Sequence, residues 1–356
     1  MCRFARDGRH LANLVSEAAA VCRAADVATT KAKGPGRPET YQQWQIASLI
    51  LIAITRRCKS KSSQHRFLLQ HAGQLKGLLR HTLLLDELPS RATYMRRYAT
   101  CHPLLAKAIT LGGRRALQEH VADGRTVAVD KSMIAARGLR PPRRQGETWV
   151  GVDRQARFGK SSHDGWVFGY SYEVAVCAGE NDRVVPLLAS AGTAAASEHR
   201  TAVAKVQQLP RGLTYLLADG GYDSNALGDA IEYTPDGRRT GRRLLCPLQC
   251  RGGKPCVGQQ KRKGKRERQR LRRLRRHRFM QTRRGKRLIA QRRQTVEPFN
   301  EWFKHLFELE DRVWHYGLDN NRTMLLMALF CYQLLQRYNY ALGHRNGRVK
   351  WLLDAL

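Results

Sequence analysis

Between Gly124 and Cys250 the spacing of apolar residues changes from a helical to an alternating period, and this limits the possible folds more than any other feature. RTVAVDKS, from Arg125, alternates like a half-buried strand ending at Asp130. Trp166–Gly179 and Arg183–Ala191 read as a second and a third strand. A helix opens at Ser197 and is closed by Pro210. Leu213–Asp219 then predicts a fourth strand, Ser224–Tyr233 a helix and Arg242–Cys250 a fifth strand. Three strands in succession, then helix and strand in alternation, predict an α/β fold: a mixed sheet with helices on its faces.

The flanks read differently. Residues 1–120 show no strand-like alternation and predict an all-helical N-terminal domain. LANLVSEAAAVCRAA is amphipathic, Tyr41 to Arg57 is strongly apolar, and shorter helices run to Leu88. A further helix follows Pro89, with Ser90 as its N-cap. The α/β domain is expected over 121–345 with a basic insertion at 251–293, and 346–356 as a C-terminal tail. After the insertion, a helix starting near Thr295 places Pro298 in its first turn, where a missing N–H costs little. NRTMLLMALFCYQLLQRYNYAL predicts another helix, returning to the core. The longest apolar runs, Ile46–Ile54 and Met324–Tyr332, reach about half of the roughly 18–20 residues that a membrane span needs. No secretory signal is evident. Nine cysteines, odd in number and mostly isolated, fit a reducing cytoplasm. Cys246, Cys250 and Cys256 are the one cluster. Their spacing fits no familiar zinc site, His277 would have to supply a fourth ligand, and ordinary thiols are the preferred reading.

Charge points to the partner. Sixty-four Lys and Arg against 29 Asp and Glu leave a net +35, which calls for a long polyanion or an anionic membrane surface. Residues 259–293 hold 18 basic residues and one acid, Glu267. A solvated tail is the plain reading of such a run. Its internal position, and a helical thread through Leu271, Leu274 and Leu288, favour a nucleic-acid contact that orders on binding, with Arg272, Arg275 and Arg276 among its residues. KGPGRP, at 33–38, reads equally as a linker or as a minor-groove arm inserting Arg37. Basic residues beside aromatics in TYMRRY suggest that the N-terminal helices read DNA, without identifying a recognition helix.

Phosphodiester cleavage needs an activated oxygen nucleophile and neutralisation of a leaving oxyanion. Two Mg²⁺ ions held by a few carboxylates provide both. Asp130 and Asp219 follow apolar runs at strand ends, and Glu297 lies on a later helix. Taken alone, the aspartates serve equally as turn residues. Asp223 reads as a helix cap, Glu301 as a surface residue, and His163 and Asp164 as loop residues. Trp302, Trp314 and Tyr316 read as packing, with stacking on a flipped base of cleaved DNA as the alternative.

ADGGYDS, around Asp219, resembles the Asp-x-Gly-Tyr element of bacterial insertion-sequence DDE transposases. RRQTVEPFNEWFK resembles their glutamate signature, with an arginine four residues before the glutamate and a lysine seven after, here Arg293, Glu297 and Lys304. VAVDKS and GWVFGYSYEVAV are similar to the family's first two strands, so the resemblance spans about 124–340. It departs at Ala290, where the signature carries a tyrosine, and at Ser171 and Glu173, where a basic residue and a histidine are common. The resemblance implies a ribonuclease-H-like sheet flanked by helices, with the basic insertion before the Glu-bearing helix. It implies Asp130, Asp219 and Glu297 as catalytic ligands of two Mg²⁺, with Mn²⁺ substituting. Arg292, Arg293 and Lys304 then join the basic run on double-stranded DNA, and pairing of element ends implies a homodimer or larger. The alternatives are a related nuclease that cuts without joining, a catalytically inactive DNA-binding derivative, and a basic RNA-binding protein that leaves the carboxylates unexplained.

Overall fold

The computed structural model describes residues 4–27, 40–141, 151–161, 164–178, 183–248, 250–251, 254–255, 264–344 and 346–356. Six helices precede the sheet: α1 (Phe4–Val27), α2 (Gln43–Thr55), α3 (Lys61–Gln70), α4 (Ala72–Gly77, extended by a π-turn to Thr82), α5 (Arg91–Ala99) and α6 (His102–Gln118). Every residue of α2 from Trp44 to Thr55 is buried, as an all-round apolar helix requires. Ser90 caps α5 by accepting from the Thr93 N–H, as its position predicts.

The main sheet contains β1 (Thr126–Ala135), β2 (Arg157–Ser161), β3 (Gly165–Ala178), β4 (Val184–Thr193), β5 (Tyr215–Leu217) and β6 (Arg243–Leu245). β3 runs antiparallel to β1 and β4, while β5 and β6 run parallel to β1. β2 pairs with the first five residues of β3. Helices α7 (Glu198–Lys205) and α8 (Asn225–Glu232) connect the later strands, with Ser224 capping α8. A short hairpin, β7 (Cys250–Arg251) and β8 (Lys254–Pro255), precedes α9 (Gly264–Gln281), α10 (Arg283–Leu306), α11 (Leu318–Ala341) and α12 (Lys350–Ala355). This is the ribonuclease-H-like arrangement expected, a mixed sheet flanked by helices behind a helical N-terminal region.

Three local expectations need correction. β1 does not end at Asp130 but continues to Ala135, because β3 is long enough to pair with all of it, from Val127↔Cys177 to Ala135↔Gly169. β2 was not expected, since RFGKS offers too little apolar alternation to read as a strand. The Glu-bearing helix starts at Arg283, where Thr282 accepts from the Gly285 N–H, and not near Thr295. Pro298 therefore lies inside α10, where one backbone hydrogen bond is forfeited and the helix continues. The basic run is helical from Gly264 onward, forming α9 and the first half of α10.

Alternation along β1 sorts its side chains. Val127 and Val129 join a smaller core with Leu216, Leu227 and Ile231 under α7 and α8. Ala128 and Ile134 join the larger core, which unites the N-terminal helices, α10 and α11. Asp130 has the parity of this second set and faces α10. Gly113 lets α6 approach β4: a Cβ there would lie 2.8 Å from Leu187 Cα.

Candidate active site

Ala128 pairs with Leu217 across the parallel β1–β5 ladder, so two residues onward along each chain brings Asp130 beside Asp219. Asp219 leaves β5 and begins a single 3₁₀ turn, its Oδ1 accepting from the Gly221 N–H at 2.9 Å. Asp130 Oδ1 accepts from Arg292 Nη2 at 2.8 Å, and Oδ2 from Asn300 Nδ2 at 2.8 Å. Arg292 and Asn300 stand eight residues apart on α10, close to two turns and thus on one face. Asn300 is oriented in turn by Tyr172 of β3, whose hydroxyl donates to Asn300 Oδ1 at 2.9 Å.

Glu297 projects from α10 at the margin of this cluster, with its side chain 57% exposed and Oε1 3.5 Å from Arg292 Nη1. Arg292 thus stands between the first and third of the sequence-derived acids. It is only 9% exposed, and its Nε is buried without a hydrogen-bond partner. Burial pushes the Asp130 carboxyl up to about 6. Arg292 opposes that rise and Asp219 adds to it.

Sequence reasoning missed Glu198, at the start of α7. A Cβ on Gly221 would collide with Glu198 Oε2 and lie 3.1 Å from Asp219 Oδ1, so the two carboxylates flank one bare Cα. Burial, then the charge on Asp219, raises the Glu198 carboxyl. Lys131, on the opposite face of β1 from Asp130, lies 4.0 Å from Glu198 Oε1 and donates to the carbonyls of Ala194 and Ala196 at 2.8 and 2.7 Å. The Tyr222 hydroxyl donates to Glu173 Oε2 at 3.1 Å, tying the turn after Asp219 to β3. Burial raises Glu173 and lowers Lys205, its charge partner on α7.

Other expected residues are distributed unevenly. Lys304 reaches the sheet and donates to the Met133 carbonyl at 3.2 Å; burial lowers its ammonium, while Asp164 and Asp130 support it. Arg293 is exposed and turns away, lining a cavity of about 630 Å³ with Pro247, His277, Met280 and Ala290. Arg272 pairs with Asp229 at 2.6 Å and Arg276 with Glu232 at 3.7 Å, both acids belonging to α8, while Arg275 is exposed. Asp223 is not the cap of α8, which Ser224 provides; it is buried and pairs with Arg273 of α9. Trp314 is buried, whereas Trp302 and Tyr316 are about half exposed. Cys246 is buried, and burial pushes its thiol up to about 12. Arg37, His163, Cys256 and the Cys250 side chain lie outside the described residues.

The arrangement offers hard oxygen donors crowded so that the charge on Asp219 raises both Asp130 and Glu198, a set suited to a divalent cation. Among the described residues no three His, Cys, Asp or Glu side chains are placed to hold one ion together. For Asp130 and Glu297 to share an ion, Arg292 must yield its place between them. No helix of the described residues is long and apolar enough to cross a membrane. The family model for the transposase DDE domain matches residues 122–334. Comparison with curated proteins and with solved structures finds no match.

Proposed function

This chain belongs to the transposase DDE-domain family, and from that premise we propose that it cuts DNA at the ends of a mobile element and joins the freed ends to target DNA. The observation that carries the reading is the juxtaposition of Asp130 and Asp219 on neighbouring parallel strands, with α10 bringing Glu297 to their margin.

In this reading Asp130, Asp219 and Glu297 hold two Mg²⁺, for which Mn²⁺ substitutes. When bound, such ions supply an activated oxygen nucleophile and neutralise the leaving oxyanion. The protein's own groups position the rest. Asn300 and Tyr172 fix the Asp130 carboxylate. Arg292 supplies a guanidinium to Asp130 that can be passed to a DNA phosphate. Lys304, anchored on β1, offers an ammonium on the same side. Arg293, Arg272, Arg275, Arg276 and Arg37 complete the proposed DNA contacts, with the helices of residues 1–120 reading the terminal repeats. Joining two ends requires two active sites, so a homodimer or larger assembly on DNA is proposed. Cytoplasmic action on DNA is part of this proposal.

One observation favours a second reading. Arg292 already neutralises Asp130 and approaches Glu297, as it would in a DNA-binding derivative that no longer cuts. Cleavage and strand transfer on labelled DNA carrying the element's ends, with Mg²⁺ or Mn²⁺, separates the two. Wild type is expected to cut and join, while Asp219→Ala binds and does neither. Cutting without joining would indicate the nuclease, and binding alone the derivative.

A further inference from the structure

We infer that a second anion site, remote from the acidic centre, grips a backbone phosphate of DNA; this deepens the transposase reading and rests on it. A cavity of about 420 Å³ opens between α9 and the approach to β6. Six arginines line it: Arg239, Arg242 and Arg243 from one side, and Arg272, Arg275 and Arg276 from α9. Among the described residues the single acid in its wall is Glu232, which is already shared between Arg276 Nη1 and the Leu244 N–H.

Two of the guanidinium groups are held in place by aromatic rings. Arg272 lies 3.6 Å over the Tyr233 ring and donates to Asp229, and Arg243 lies 4.1 Å over Phe279. Phe279 itself stacks on Tyr215, so the platform is braced by the sheet. Arg276 is only 5% exposed, and its Nη2 is buried without a hydrogen-bond partner. A buried N–H left unpaired is costly, and an oxyanion in the cavity would satisfy it. Six like charges held so close, with only Glu232 and Asp229 paired among them, gain from an anion placed between them.

Position identifies which anion. Arg243 pairs with Tyr215 at the start of the β5–β6 ladder, whereas Asp219 follows the other end of β5. Four residues of parallel strand put the cavity roughly 13 Å from Asp219, too far to hold the phosphate being cut. Arg268, Arg275 and Arg278 are exposed along one side of α9. Their ten-residue span covers about 15 Å and forms a track leading into the cavity. A small anion needs a cavity and no track, whereas a polymer with regularly spaced phosphates uses both. The occupant is a phosphate of the DNA flanking the cut.

The test compares full-length wild type with Arg239→Gln/Arg275→Gln, both at exposed rim positions, and with Arg348→Gln/Lys350→Gln, exposed and outside the proposed DNA contacts, as an equal charge loss elsewhere. Binding of a labelled duplex is followed by anisotropy across a salt series. The rim variant should bind at least about tenfold more weakly than the control, and its log–log salt slope should fall by about 1, the value for one lost phosphate contact. Thermal melting should match wild type. Slope and affinity equal to the control's would overturn the inference. So would protection from heat by micromolar inorganic phosphate or pyrophosphate with duplex binding unchanged, which makes the cavity a small-anion site. If wild type itself does not bind the duplex, the transposase reading falls and this inference with it.

Discussion

A buried guanidinium between two carboxylates cannot leave without stranding at least one charge in a poorly hydrated place. Arg292 is in that position, so Arg292→Ala has two expected consequences. Mn²⁺ should bind several-fold more tightly in titration calorimetry without DNA, because the guanidinium then no longer competes for Asp130. Denaturant melts should show a loss of about 3 kcal/mol, because a buried carboxylate has lost its partner. Unchanged or weaker Mn²⁺ binding would show that Arg292 does not contest the site. His315 provides a pH effect of known sign. It is buried, and its ring lies 3.0 Å from the Tyr98 hydroxyl. Burial lowers its pKa to about 3, with Lys61 and Arg137 adding to the effect. The unfolded imidazole takes a proton below about 6.5 and the folded one does not, so stability falls as pH drops from 6.5 towards 3. The contribution is at most about 1.4 kcal/mol per pH unit. His315→Gln should flatten the stability–pH curve over that window, and an equally steep curve would refute the assignment. At this scale Asp130 and Asp219 were legible because each follows an alternating apolar run. Glu198 was not, since an acid in the first turn of a helix reads as a partner for its dipole. Spacing pointed to Arg293 four residues before Glu297, whereas the contacts with the acids belong to its neighbour Arg292.

Among the elements, α10 departs furthest from what its sequence suggested. Its first half is basic with few apolar residues, so the periodicity becomes evident only at Val296, Phe299 and Phe303, and the start was placed about three turns late. β1 overran its expected end for the opposite reason: its length is set by β3, a partner that lies about 40 residues away in the chain. Pro298 follows as a testable anomaly. It is exposed, so Pro298→Ala restores a backbone hydrogen bond without disturbing a core. The variant should gain about 1–3 kcal/mol in denaturant melts. A loss would mean that the proline's backbone geometry is itself required to place Glu297 and Asn300.

Over the whole molecule, the order of strands and helices was legible, because connections between successive elements are short and local patterns survive them. How the N-terminal helices join the sheet was not. That junction rests on contacts more than 140 residues apart in sequence, such as Gln333 Nε2 of α11 donating to the carbonyls of Ile109 in α6 and Pro186 in β4 at 2.8 and 2.5 Å. Gln333→Ala removes the buried donor that ties both carbonyls together and leaves a void between α6, β4 and α11, and should cost about 1–3 kcal/mol. Because one core unites α2, α6, α10 and α11, fluorescence and circular dichroism should still report a single shared transition. Two separate transitions would show that the helical layer folds on its own. The buried Arg292 also has a consequence for timing. The group best suited to draw a guanidinium off a carboxylate is another oxyanion, and the one this chain would meet is the phosphate it is to act on. If the chain cuts DNA as proposed, substrate arrival would come first and ion loading second, so a copy diffusing through the cell would be unable to nick whatever it brushes against, and would acquire its cutting edge only where there is an end to cut.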